Sequence, residues 1–114
     1  MLILTVAFDS EGLNRQIQEL ENAGHVIVPS SCLETCLNAA VAGPYQLLVI
    51  GPAVATEDRA RLTDASRKIR PDARIVSIEC SGSRNLQSAD YRIQAGYEYE
   101  LIEIISQLQY KQYL

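Results

Sequence analysis

The feature that most constrains this chain is an alternation. Short apolar runs rich in branched residues recur along it, and a segment with helical spacing follows most of them. The clearest run is Tyr45-Gln-Leu-Leu-Val-Ile50, closed by Gly51-Pro52. Its length and β-branching fit a strand buried on both faces better than a helix. Gly51 and Pro52 end it, because proline cannot donate to a sheet ladder. Residues 2–8, Leu-Ile-Leu-Thr-Val-Ala-Phe, read the same way. That first run lacks a basic leader and passes directly into Asp9, so it is a strand rather than a signal segment.

The rest of the chain follows in order. Asp9 and Ser10 are good caps for a helix from about Glu11 to Ala23. Leu13, Ile17 and Leu20 form its buried stripe, and Gly24 is its C′ residue. His25-Val-Ile-Val-Pro29 predicts a second strand, with Pro29 marking an edge or a strand end. Ser30-Ser31 opens a second helix, and Ser31 with Glu34 makes a capping box. Leu33, Cys36, Leu37, Ala40 and Val41 are its stripe, and Gly43-Pro44 stops it. Thr56 caps a third helix, with Glu57 and Asp58 in the first turn. Leu62, Ala65 and Ile69 face its core, and Pro71 ends it. Residues 73–78 predict a fourth strand, and 81–90 a polar loop with at most one helical turn. Tyr91-Arg-Ile-Gln94 is a short fifth strand. A last helix runs from Glu98 to about Tyr113, with Leu101, Ile104, Ile105 and Leu108 on its apolar face.

Strands recur roughly every two dozen residues, the mark of βαβ units in a parallel sheet. The expected fold is α/β and flavodoxin-like: a three-layer αβα sandwich with a five-stranded parallel sheet in the order 2-1-3-4-5. At 114 residues the expectation is one domain, 1–114. In such sheets ligands gather beyond the carboxyl ends of the strands. Gly51 stands there, and it has no side chain.

Charge and composition narrow the function. The 14 acidic and 10 basic residues leave a net charge of −4, which weighs against nucleic-acid binding. The densest basic group, Arg67, Lys68, Arg70 and Arg74, lies around a helix end, where bases are ordinary dipole partners. No apolar run reaches the ~18 residues of a membrane helix. Three cysteines without dense spacing fit a reduced, cytoplasmic setting.

The stretch from Asn14 to Val49 resembles a response-regulator receiver (CheY-like) domain. The likeness is carried by Leu20-Glu-Asn-Ala-Gly24-His25, Ser30-Ser31, Ala39-Ala40 and Tyr45-Gln-Leu-Leu-Val-Ile50, and coarsely it spans nearly the whole chain. The resemblance implies an acidic pair for Mg²⁺ after strand one, a phospho-accepting Asp ending strand three and a hydroxyl ending strand four. It also implies a switch aromatic in strand five, followed by Lys-Pro. Here those positions hold Ala7 and Phe8, Gly51, Glu79, Tyr91 and Gln94-Ala95. Only the aromatic is kept. The segment between Glu79 and Tyr91 is short, so the family's fourth helix is expected to be trimmed or missing. Aspartyl phosphorylation needs a carboxylate nucleophile, a metal and a cation for the developing charge. A chain without these at their places reads as a pseudo-receiver, with no metal, no cofactor and no catalytic residue. Asp9 lies close to the acidic-pair position, but one carboxylate does not replace the nucleophile.

The remaining candidates are weaker. Cys32 and Cys36 are four apart, yet zinc needs four ligands and few others are offered, so core packing is the plainer reading. Cys80 beside Glu79 is disfavoured as a reactive thiol. His25 falls at the wrong end of the sheet for catalysis. Ser81-Gly82-Ser83 could cradle an anion, but an ordinary loop is the favoured reading. Tyr91, Tyr97, Tyr99, Tyr110 and Tyr113 cluster around the last helix, and tyrosine is enriched in interface cores. Two functions follow. One is a stand-alone signalling module, not an enzyme, that docks a signalling protein or a second copy through the face of strand five and the last helix. The other is a small flavodoxin-like enzyme or ligand-binding domain, with Asp9, Glu79, Cys80 and residues 81–83 at the strand ends.

Overall fold

A computed structural model of the chain describes residues 2–6, 11–30, 33–42, 45–51, 54–79, 89–94 and 99–112. Its elements are β1 (Leu2–Val6), α1 (Glu11–Asn22), β2 (Val26–Ser30), α2 (Leu33–Ala42), β3 (Leu47–Ile50), α3 (Thr56–Ile69), β4 (Arg74–Glu79), β5 (Tyr91–Gln94) and α4 (Glu100–Gln112). The five strands are parallel, in the order β2-β1-β3-β4-β5. The alternation therefore folds as expected. The trimmed or missing fourth family helix falls on residues 80–88, outside the described residues. Among the described residues no helix is long and apolar enough to cross a membrane.

Side-chain alternation along the strands divides the core in two. Ile3, Leu47, Val49, Val76, Ile78 and Ile93 pack with Leu20 of α1 and with Leu101, Ile105 and Leu108 of α4. Leu4, Val6, Leu48, Ile50 and Ile75 face the other way, toward Cys36 of α2 and Leu62 of α3. β5 is buried on one side only: Ile93 is in the core and Tyr91 packs half-buried against it, while Arg92 and Gln94 are exposed.

Local chemistry sets the boundaries. Gly24 closes α1 with φ +96°, a conformation that favours a residue without Cβ. Its N–H donates to Glu21 O at 3.0 Å and the His25 N–H to Leu20 O at 3.1 Å, the paired bonds of a Schellman end. Pro29 lies in β2, an edge strand, where a missing donor is tolerated. The far end of the sheet is bracketed by Asp90. Its carboxylate accepts from Ile75 N–H at 2.8 Å and Arg67 Nη2 at 3.0 Å, and Arg74 Nη1 lies 3.6 Å away. Arg67 and Arg74 of the basic group thus pair with a carboxylate, while Arg67 and Lys68 also stand in the last turn of α3, as expected.

Three readings need correction. Ser30 does not open α2; it pairs with Val6 and extends β2. Thr56 is the first helical residue of α3, and the N-cap is Ala55, extended at φ −64° and ψ 152° with no side-chain cap bond. The buried stripe of α3 is Arg59, Leu62, Thr63 and Ser66; Ala65 and Ile69 are only half-buried. Polar residues can occupy that stripe because their polar atoms are satisfied. Thr63 Oγ1 donates to Arg59 O at 2.8 Å, and Ser66 Oγ accepts from the Tyr45 hydroxyl at 2.7 Å.

His25 precedes β2 at the end of the sheet away from the strand C-termini, with a buried Nδ1 that has no hydrogen-bond partner. Burial holds its pKa below the ordinary value. The unfolded chain therefore takes up the proton first as pH falls. Stability is expected to be level above about pH 6.5 and to decline below it. Urea midpoints for the wild type and His25→Leu at pH 7.5 and 5.5 check this; a slope equal in both proteins would contradict it.

Candidate functional site at the strand ends

The parallel register gathers several expected site positions at one end of the sheet. Gly51, just past β3, is buried, and its N–H donates to Val6 O at 2.7 Å. Ile50 pairs with Ser77, and Glu79 with Gln94. The positions that the resemblance assigns to acceptor, hydroxyl and lysine thus lie together, held by Gly51, Glu79 and Gln94. Glu79 closes β4, one residue further than expected, and is buried at 7% exposure. Ala7, Phe8, Asp9, Cys80 and residues 81–83 lie outside the described residues. Tyr91 opens β5 opposite Val76, roughly 10 Å of strand before Gln94. Of the other candidate interface tyrosines, Tyr99 precedes α4 and is 55% exposed. Tyr97 and Tyr113, and the side chain of Tyr110, lie outside the described residues.

The group that organises this end is one that sequence reasoning missed. Arg59, in the first turn of α3, is only 6% exposed. Its Nε donates to Val54 O at 2.8 Å. Nη2 donates to Gly51 O at 2.6 Å and to Ile78 O at 2.7 Å. Nη1 donates to Ser77 Oγ at 2.7 Å. Ser77 Oγ in turn lies 3.5 Å from Glu79 Oε1, a weak contact that relates the guanidinium to the buried carboxylate. A cation therefore stands at the strand ends although Gln94 occupies the lysine position. It enters from α3 rather than from β5.

Two indirect features of the sequence are compatible with a buried Arg59, though neither identifies its acceptors. A cation in the first turn of a helix opposes the macrodipole, so it needs another reason to be there. Ser77 interrupts an otherwise apolar stretch of β4, and a hydroxyl buried in a strand implies a partner.

The chemistry open to this arrangement is limited. The Nε proton and both Nη2 protons of Arg59 are engaged by backbone carbonyls. Mg²⁺ takes oxygen ligands, and the residues at the positions the resemblance assigns to the acidic pair and the nucleophile, Ala7, Phe8 and Gly51, have no side-chain oxygen. Among the described residues no three His, Cys, Asp or Glu side chains come together. Cys36 is buried in the core between α2 and α3, and Cys32 lies outside the described residues.

No protein-family model matches this sequence, and no curated protein matches it significantly. Solved structures do. A CheY-like response regulator receiver domain from Methanospirillum hungatei superposes with a TM-score of 0.80 at 20% identity, over 97% of this chain and 94% of that one. The response regulator TrrA of Thermotoga maritima, in complex with Mg²⁺-BeF, gives a TM-score of 0.73 at 25% identity, over 94% and 97%. A structure of histidine kinase ThkA in complex with TrrA gives 0.75 at 22% identity, over 94% and 97%. The chain has the CheY-like receiver fold.

Removing the guanidinium leaves buried carbonyls without donors. Arg59→Met is expected to cost about 3–5 kcal/mol in unfolding free energy, and Arg59→Lys most of that, since an ammonium cannot span the same acceptors. Arg61→Ala, on the exposed side of α3, is expected to stay within about 0.5 kcal/mol. Equilibrium denaturation measures all three, and a wild-type midpoint for Arg59→Met would contradict the assignment.

Proposed function

We propose that this chain is a receiver-like signalling module that does not accept a phosphoryl group and acts by docking another protein. The observation that carries the reading is Gly51. The buried residue at the end of β3, where the resemblance places the nucleophile, has no side chain, and its carbonyl is tied to Arg59. Aspartyl phosphorylation needs an attacking carboxylate oxygen and a divalent cation beside it. Ala7 and Phe8, where the resemblance places the acidic pair, have no side-chain oxygen to offer the cation. Arg59 adds positive charge, but its donors are turned to the fold's own backbone. The same engagement weighs against a small-molecule enzyme at the strand ends.

The complex of histidine kinase ThkA with the regulator TrrA, whose fold this chain shares, supports a protein as the partner class. The docking face we favour is that of β5 and α4, either for a signalling protein or for a second copy. Tyr99 is exposed there, and Arg92 and Gln94 line the uncovered side of the edge strand.

Incubation with acetyl phosphate and Mg²⁺, followed by intact-mass analysis, tests the chemistry. The wild-type chain is expected to remain unmodified, and so is Gly51→Asp, which restores a carboxylate without a metal site. Stoichiometric phosphorylation of the wild type on any aspartate would sink the reading.

A further inference from the structure

Arg59 joins pieces of backbone that the sheet does not join at this end. The ladder between β3 and β4 runs from Leu47 opposite Arg74 to Ile50 opposite Ser77. Gly51 and Ile78 stand one residue beyond that last pair. The two Nη2 protons reach one carbonyl on each of them, at 2.6 and 2.7 Å. Nε holds Val54 O, just ahead of α3. The backbone N–H of Arg59 donates to Ala55 O at 2.9 Å and closes the first turn of the helix. One residue thus fixes the end of β3, the start of α3 and the end of β4.

We propose that Arg59 is a permanent internal clasp that holds the site end of this receiver fold in a single conformation, with no bound phosphate or metal required. A guanidinium suits the task. It stays charged at any physiological pH, and its planar fork meets several acceptors at fixed angles. Nη1 extends the clasp through Ser77 Oγ toward Glu79, whose neighbour in the sheet is Gln94 of the edge strand. The clasp deepens the reading of an unswitched module and rests on it for its meaning in signalling, yet the two fail separately. Phosphorylation tests the chemistry, whereas hydrogen exchange tests the clasp.

The experiment is residue-resolved amide exchange on the full chain. In the wild type the amides of Gly51, Val54, Arg59, Ile78 and Glu79 are expected to be protected as well as those of β1. In Arg59→Met they are expected to exchange about tenfold faster relative to β1, the local opening left by losing the clasp. Tyr45→Phe serves as the control. It removes a buried bond to Ser66 farther along α3, so it destabilises the helix without touching the clasp. It is expected to leave the ratio between the site end and β1 unchanged. Ser77→Ala deletes one acceptor only and is expected to give the same local pattern at smaller size, which keeps the test decisive if Arg59→Met does not fold. Site-end amides that exchange no faster than β1 in Ser77→Ala and in any folded Arg59→Met would overturn the clasp. So would the same local acceleration in Tyr45→Phe.

Discussion

Taking a guanidinium out of water costs several kcal/mol unless its N–H groups find acceptors in good geometry. Arg59 meets that condition with backbone carbonyls from three places and one serine hydroxyl, all between 2.6 and 2.8 Å. Other features follow from this requirement. Gly51 and Val54 must each present a carbonyl inward. Ser77 must interrupt an apolar strand. Helix α3 must turn a polar stripe to the sheet, and Thr63 and Ser66 then satisfy their own hydroxyls with Arg59 O and Tyr45. The charge is therefore built into the packing rather than added to it.

The two faces of the sheet are unequal for the same reason. The layer between the sheet and α1 and α4 is an apolar cluster running from Ile3 to Leu108. The layer under α3 mixes Leu62 and Ile75 with a charge, hydroxyls and the buried carboxylate of Glu79. That polarity lies at the carboxyl ends of the strands, where open parallel sheets place their ligands. Among the described residues, Arg59, Ser77 and Glu79 there bind one another and the backbone. The CheY-like architecture is kept, and on the proposed reading the end of it that could carry chemistry serves as a structural joint.

Much of this was legible in the sequence. Strands buried on both faces, such as Leu47–Ile50, read as continuous branched runs, and their spacing left little choice of topology. Gly24 and Pro71 marked helix ends by chemistry that only those positions need. Gly51 stood out as a strand end without a side chain. Ser30 and Thr56 were misplaced because short hydroxyl residues suit caps, strand ends and first turns alike. Arg59 escaped for a deeper reason. In Thr-Glu-Asp-Arg-Ala-Arg it looks like one charge on a solvated face. Its acceptors are mostly carbonyls brought near only by the fold, and backbone carbonyls carry no sequence signature. The stripe of α3 misled for the same cause, since Ala65 and Ile69 looked apolar enough to be buried and Thr63 and Ser66 did not.

On the proposed reading the strand ends form an internal clasp rather than a site that awaits a phosphoryl group. The most direct measurement is the nitrogen-15 spectrum of the Arg59 side chain, recorded before and after addition of Mg²⁺ with beryllofluoride. Slowly exchanging, separately resolved Nε and Nη signals that do not move on addition are expected of an internal clasp. Signals averaged by rapid solvent exchange, or signals that shift as beryllofluoride binds, would contradict it.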